Sequence, residues 1–131
     1  MSLETIFETA DILSLHVPLT PETKFMVNAD FISRFKKPIF LINTARGQVV
    51  KTADLVEALK SGKIRAAALD VLEYEKTHFE NLYAEQLPSD FEYLTKAENV
   101  FLTPHIAGRT IESEKKLADF MAKKIIERFT I

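Results

Sequence analysis

Five side chains that can bind an anion or move a proton lie at the ends of the apolar runs of this 131-residue sequence or a few residues beyond them. A histidine can donate a proton, a carboxylate can orient that histidine, and an arginine can hold an anion. If the fold brings the ends of the runs together, these residue types can carry out acid–base chemistry on an anionic substrate. The five residues are His16, Arg46, Asp70, Glu75 and His105.

Each of the five also has an ordinary structural explanation. Arg46 could be a solvated loop residue, Asp70 could form a turn or cap a helix, and Glu75 could belong to a solvated acidic loop. Either histidine could bond a backbone carbonyl, and for His16 this structural explanation is the favoured one. The shared position of these residues at the ends of predicted strands is what favours a functional interpretation.

Four short apolar runs predict the strands of a buried sheet. Each run is four to eight residues long and has little alternation of polar positions. Strands that are buried on both faces of a parallel sheet have this pattern. The runs are residues 12–17, 38–44, 64–71 and 100–103.

Helical patterns lie between and around these runs. Spacings of three and four residues between apolar positions predict a helix over 52–61, with Thr52 as its N-cap. A long connection over 72–99 suggests one short helix around Phe79, Leu82 and Tyr83. Further helices are predicted over 3–9, 30–35 and 110–129. The last has an apolar stripe made of Leu117, Phe120, Met121, Ile125 and Phe129.

The alternation of strands and helices defines the fold class. It predicts an α/β fold in which a parallel sheet of about four strands has flanking helices and right-handed crossovers. The length allows one compact domain and is too short for two. In open parallel sheets ligands bind beyond the carboxyl ends of the strands, which is where the five polar residues lie.

The composition argues against several other classes of function. A net charge of −2 and a pI of about 5.9 give no electrostatic reason to expect binding to nucleic acid or to an anionic membrane. The absence of cysteine excludes disulfides, zinc thiolate sites and thiol nucleophiles. Histidines and carboxylates lack the spacing of a metal site, and no run has the length of a membrane span. The N-terminus lacks the features of a signal peptide, so a cytoplasmic protein is the default expectation.

Four stretches, in chain order, resemble the D-isomer-specific 2-hydroxyacid dehydrogenases. The similarity extends from about residue 10 to residue 129, which is nearly the whole chain. One such motif alone is weak, whereas four in the family's order are specific. They are 10–20 (ADILSLHVPLT), 41–47 (LINTARG), 67–75 (AALDVLEYE) and 102–108 (LTPHIAG).

The resemblance implies catalytic roles for three residues. Arg46 would grip the carboxylate of a 2-oxo acid and polarise its carbonyl, a task that suits a planar guanidinium. His105 would give a proton to the carbonyl oxygen as hydride arrives, and Glu75 would hold the imidazole and favour its protonated form. The implied reaction is hydride transfer between nicotinamide and a D-2-hydroxy acid of the phosphoglycerate, lactate or glycerate type.

The resemblance also implies NAD as the cofactor. Asp70 would bond the nicotinamide carboxamide, and the residues just after the second strand would line the nicotinamide pocket. The residues after the first strand would lie near the adenosine side. The implied cofactor-binding residues are His16, Val17, Pro18, Thr44, Ala45 and Asp70.

One part of the family's cofactor site is missing from the sequence. No G-x-G-x-x-G occurs, since the three glycines are Gly47, Gly62 and Gly108. In the family this loop and the helix after it bind the pyrophosphate. We therefore expect residues 1–131 to form the second half of a Rossmann-type NAD-binding domain, without a separate substrate domain, and to be inactive in isolation.

The predicted first strand, 12–17, would then lie at an open edge of the sheet. Apolar edge strands seek partners, which predicts a homodimer that pairs around this strand. The alternative interpretation is a non-catalytic α/β dimerisation module derived from the same fold. The presence of Arg46, Glu75 and His105 together favours the enzyme.

Overall fold

Four parallel strands form one sheet in the order β1-β2-β3-β4. The computed structural model describes residues 2–75 and 88–129. Helices flank the sheet, so the predicted α/β class is confirmed. The strands are β1 (Ile12–Leu15), β2 (Ile39–Asn43), β3 (Ile64–Leu69) and β4 (Val100–Leu102).

The helices agree with the sequence prediction to within one or two residues, with one addition. A helix that the sequence did not predict lies within the long connection before β4. The predicted helix around Phe79, Leu82 and Tyr83 lies outside the described residues. The helices are α1 (Leu3–Thr9), α2 (Ala29–Ser33), α3 (Thr52–Lys60), α4 (Ser89–Lys96) and α5 (Ile111–Phe129), and a 3-10 turn covers Gly47–Val49.

The start of α3 corrects one sequence prediction. Thr52 is the first residue of the helix and not its N-cap, and the capping group comes from another part of the chain. The Glu73 carboxylate accepts a hydrogen bond from the Thr52 amide at 2.7 Å. A carboxylate at this end satisfies an unpaired amide and interacts favourably with the helix dipole. Helix α3 therefore ties the loop after β3 to the sheet.

The core lies between the sheet and the helices. The side chains of Ile39, Leu41 and Ile64 are almost fully buried. On one side of the sheet, Phe7 of α1 contacts the rings of Phe31 and Phe35 edge to face, with centroid distances of 5.0 Å. Such pairs stabilise more than burial alone, so these rings hold α1 against α2 and the residues that follow it.

Helix α5 differs from the other helices because none of its residues is buried. Its predicted apolar stripe faces outward, with Leu117 67% and Phe120 57% exposed. Within residues 2–75 and 88–129, no helix is both long enough and apolar enough to cross a membrane. The apolar surface of α5 is thus available to a partner.

Candidate active site

The turn after β2 holds Arg46 at the carboxyl edge of the sheet. Asn43, the last residue of β2, is buried, and its side-chain oxygen accepts a hydrogen bond from the Ala45 amide at 3.1 Å. Its side-chain nitrogen donates to the Arg46 carbonyl, also at 3.1 Å. The Arg46 guanidinium is exposed and donates one hydrogen bond, from Nη1 to the Ala45 carbonyl at 2.7 Å. The backbone of this turn is therefore fixed, while most of the guanidinium donors face solvent.

A cleft of about 350 Å³ opens between the ends of β1 and β2. Its volume is within the range of about 300–1,000 Å³ that is usual for small-molecule sites. The walls combine apolar side chains with a hydroxyl, an imidazole and a guanidinium. The lining residues are His16, Val17, Pro18, Thr44, Ala45 and Arg46. They include all the residues that the sequence assigned to the cofactor, apart from Asp70.

A carboxylate–imidazole pair lies beyond the next two strands. The Oε2 atom of Glu75 is 3.1 Å from Nδ1 of His105, and its Oε1 atom accepts a hydrogen bond from the Leu72 amide at 2.9 Å. Both oxygens of Glu75 are therefore engaged, which fixes the carboxylate relative to the loop after β3. The imidazole is about two-fifths exposed, so a solute can reach it.

Asp70 holds the loop that carries His105. The Asp70 carboxylate is buried and accepts hydrogen bonds from the Thr103 hydroxyl at 2.5 Å and from the amides of Ile106 and Ala107 at 2.8 and 2.9 Å. These bonds hold the loop on both sides of His105, whose φ of 54° lies in the left-handed region. The observed partners of Asp70 are loop atoms, and its contact with a nicotinamide carboxamide stays a prediction.

These contacts also determine the charge state of Asp70. Burial alone would raise its pKa, but the bonds from Thr103, Ala107 and Ile106, with the nearby charge of His105, outweigh burial and lower the pKa of Asp70 below its ordinary value. A lowered pKa means that the folded protein favours the ionised form. Asp70 therefore stabilises the fold above its ordinary pKa, and this contribution is lost as the pH falls below it.

We expect Asp70→Asn to lower the free energy of unfolding at neutral pH by about 2 kcal/mol, because an amide cannot accept all three hydrogen bonds. The difference between variant and wild type should shrink as the pH falls below about 4, where the aspartate of the unfolded chain becomes protonated. Urea unfolding at a series of pH values measures both quantities. A difference that is independent of pH would contradict the assigned charge state.

The Arg46 turn and the Glu75 loop are in direct backbone contact. A Cβ placed on Gly47 would lie 1.8 Å from the carbonyl oxygen of Leu72 and 2.7 Å from the amide nitrogen of Glu73. No side chain fits in that space, so Gly47 is required for the close approach of the two segments. This contact fixes the position of Arg46 relative to Glu75.

We expect Gly47→Ala to lower the free energy of unfolding by about 1–3 kcal/mol, since the backbone of Leu72 must move to admit the methyl group. Gly108→Ala is the matched control, because a Cβ there meets nothing within 4 Å and the backbone has no positive φ. Thermal unfolding of both variants measures the difference. Equal midpoints for the two would show that the contact at Gly47 is not tight.

The structure groups the predicted residues into two sets on neighbouring strands. His16, Thr44, Ala45 and Arg46 share the cleft with Val17 and Pro18, whereas Asp70, Glu75 and His105 are joined by hydrogen bonds around the loop after β4. The Asp70 amide donates to the Asn43 carbonyl at 3.0 Å and links the two sets. His16 is itself held by the Ser14 hydroxyl, 2.8 Å from its Nε2 atom.

Two residues of the site were not singled out from the sequence. From the sequence alone, Asn43 is the polar end of an apolar strand and Gly47 is an ordinary turn glycine. The LINTARG stretch contains both, but their partners at Arg46 and Leu72 appear only in the folded chain. Among residues 2–75 and 88–129, no group of three or more His, Asp or Glu side chains is placed to hold a metal ion.

Comparison with known proteins identifies the family. Residues 1–107 match the family model of the D-isomer specific 2-hydroxyacid dehydrogenase, NAD binding domain. The chain belongs to this family, and the matched part is its NAD-binding domain. The predicted family is thereby confirmed.

Relatives and solved structures agree with this membership. The chain is 47% identical over 124 residues to a glyoxylate reductase of Thermofilum pendens, covering 95% of this chain and 33% of that protein. It is 42% identical over 127 residues to a D-specific alpha-keto acid dehydrogenase of Enterococcus faecium, covering 93% of this chain and 38% of that one.

The fold matches that of an NAD-complexed D-isomer specific 2-hydroxyacid dehydrogenase from Lactobacillus delbrueckii ssp. bulgaricus. The TM-score is 0.83 at 34% identity, and the match covers 99% of this chain and 40% of that one. The chain thus spans between a third and two-fifths of the length of these relatives.

Proposed function

We propose that this chain supplies the catalytic residues and one wall of the NAD site of a D-2-hydroxyacid dehydrogenase. The observation that carries the proposal is the Glu75–His105 pair, whose histidine loop is held by Asp70, at the same edge of the sheet as the cleft lined by Arg46. This arrangement combines a proton donor, its orienting carboxylate and an anion-binding group at one edge of a parallel sheet.

We assign the substrate carboxylate to Arg46. Its guanidinium is exposed, and one of its five donors is used, by the Ala45 carbonyl. A planar guanidinium can bind a carboxylate with two parallel hydrogen bonds, which fixes the orientation of a 2-oxo acid. The carbonyl next to that carboxylate then also lies within reach of the positive charge and is polarised by it.

We assign proton transfer to His105. Glu75 faces its Nδ1 atom, so the proton to and from the substrate oxygen is carried by Nε2. The negative charge of Glu75 stabilises the imidazolium that the reduction direction requires. In the oxidation direction the same Nε2 atom accepts the proton of the substrate hydroxyl.

We assign the cleft to the part of NAD that includes the nicotinamide. Ala45 offers apolar surface for the nicotinamide ring and Thr44 offers a hydroxyl for its polar substituent, while Val17 and Pro18 offer apolar surface on the adenosine side. Bound there, the nicotinamide supplies or accepts the hydride. The residues of the chain orient that ring and exclude water from one side of it.

We propose that the phosphate-binding glycine loop and the substrate domain lie in another part of the natural protein. This accounts for the absence of G-x-G-x-x-G and for the share of the relatives that the chain spans. The substrate is a small 2-oxo or 2-hydroxy acid, and the predicted location is the cytoplasm. Residues 1–131 alone are then expected to turn over substrate poorly, because pyrophosphate binding is missing.

The test is NADH oxidation by the protein at its natural full length, followed at 340 nm with glyoxylate, pyruvate, hydroxypyruvate and phenylpyruvate. We expect turnover of at least one of these acids and, for the acids other than glyoxylate, whose product is achiral, a product of D configuration. Residues 1–131 are assayed in parallel. No turnover of any acid by the full-length protein, or a product of L configuration, would contradict the proposal.

We also propose that residues 1–131 form a homodimer by pairing at β1. Among the described strands β1 contacts β2 alone, and its Ile12 side chain is 59% exposed. A second copy offers an identical edge, so a twofold pairing satisfies both. Sedimentation at micromolar concentration tests this, with Ile12→Lys as the variant expected to dissociate. A wild-type monomer would contradict it and would favour the remainder of the natural protein as the partner of β1.

A further inference from the structure

Asn43, the last residue of β2, has a buried side chain that bonds to the backbone of the turn after the strand. It is 1% exposed, and its side chain bonds the backbone at two successive residues, Ala45 and Arg46. A buried amide whose oxygen and nitrogen are both bonded in this way determines the backbone path of the turn, because a different path would leave these polar atoms without partners.

The backbone of Asn43 connects this turn to the second half of the site. Its carbonyl accepts the Asp70 amide at 3.0 Å, and Asp70 in turn holds the amides on the far side of His105. A chain of direct contacts therefore runs from the Arg46 turn to the loop of the proton donor. The Gly47–Leu72 contact forms a second link between the same two segments.

We propose that Asn43 is a positioning residue that sets the place of Arg46 relative to the Glu75–His105 pair. This inference rests on the proposed function, since it concerns how the site holds a 2-oxo acid. Asn43 touches neither substrate nor cofactor and acts through the Arg46 backbone. A substrate that bridges Arg46 and His105 requires both groups at a fixed separation, and Asn43 is the residue that bonds to both segments.

The effect of losing these bonds should be large. A displacement of about 1 Å in a reacting group can lower a rate by about 10²-fold. We therefore expect Asn43→Ser in the full-length protein to lower kcat/KM for the 2-oxo acid by about 10²-fold. A serine hydroxyl can still accept from the Ala45 amide but cannot reach the Arg46 carbonyl as well.

A matched control separates positioning from stability. Asn99 donates one side-chain hydrogen bond, at 2.9 Å, to the Arg65 carbonyl near the start of β4, at the opposite edge of the sheet. Asn99→Ser loses an exposed side-chain bond to a backbone carbonyl outside the site, so its kcat/KM should stay within about twofold of the wild type. If Asn43→Ser does not fold, Asn43→Asp replaces it, because the aspartate keeps the acceptor for Ala45 and loses the donor to Arg46.

The decisive measurement is a double-mutant cycle with Arg46→Ala. If Asn43 acts through Arg46, adding Asn43→Ser to Arg46→Ala should change kcat/KM by less than about threefold. Full multiplication of the two losses, or an Asn43→Ser effect no larger than that of Asn99→Ser, would overturn the inference and leave the proposed function intact. A wild-type protein that reduces no 2-oxo acid would overturn both.

Discussion

Arg46→Ala in the full-length protein is expected to lower kcat/KM for its 2-oxo acid by about 10²–10⁴-fold, which corresponds to the loss of a charged contact of about 3–5 kcal/mol. The guanidinium is the cationic group that lines the cleft, and it lies directly after the turn held by Asn43. Alanine removes both the binding of the carboxylate and the polarisation of the carbonyl. Steady-state kinetics with NADH and varied 2-oxo acid measures the loss.

Arg65→Ala is the matched control for this substitution. Arg65 is an exposed arginine of β3 whose guanidinium lies over the Phe40 ring at 6.0 Å, away from the cleft. Its loss should leave kcat/KM within about twofold of the wild type. Arg46→Lys should restore only part of the activity, because an ammonium does not form the paired contact. Unchanged kinetics for Arg46→Ala would remove the residue from the mechanism.

His105→Ala is expected to lower kcat by about 10²–10⁴-fold, the range for a removed general acid or base. The binding of NADH should change little, because His105 does not line the cleft. Fluorescence titration with NADH, together with kcat, separates the two effects. If kcat stayed the same, or if the loss appeared only in NADH binding, His105 would not be the proton donor.

Glu75→Gln tests the other half of the pair. The amide keeps the shape of the side chain and can still accept from Leu72, but it carries no charge to stabilise the imidazolium. We expect a smaller fall in kcat than for His105→Ala. A double variant no worse than His105→Ala alone would show that Glu75 acts through the histidine. Independent, multiplying losses would contradict the pairing seen here.

Most of the fold could be predicted because its signals are local. The apolar runs of β1 to β4 and the spacing of apolar residues in α3 each carry their own pattern. The strand ends were less accurate. The predicted first strand continued to residue 17, but β1 ends at Leu15, since the chain leaves the sheet there and places His16 and Val17 in the cleft.

The features that were missed depend on contacts between distant segments. The cap of α3 comes from Glu73, 21 residues away, so Thr52 looked like the cap from its local sequence. The same holds for the fit of Gly47 against Leu72, which no local pattern reveals. Helix α4 had a local signal, with Pro88 before it, Asp90 and Glu92 in its first turn and Lys96 in its last. That signal is weak because it stands within a long connection that is rich in aromatic and acidic residues.

The sequence predicts where the residues of the candidate site lie better than it predicts which of them are in contact. The position of polar residues at strand ends places them along one edge of a parallel sheet, and the structure shows that edge. The position at strand ends does not predict which of these side chains are in contact. Side-chain hydrogen bonds between the loops after β3 and β4 join Glu75 to His105. Similar bonds join Asp70 to the loop after β4.

We propose that the full-length protein moves hydride to a 2-oxo acid at the site formed by Arg46, Glu75 and His105. The most direct measurement uses NADH labelled with deuterium at both C4 positions, and mass spectrometry of the hydroxy acid product. We expect one deuterium at C2 of the product with the wild-type protein and almost no product with His105→Ala. An unlabelled hydroxy acid, or labelled product formed equally fast by His105→Ala, would contradict hydride transfer at this site.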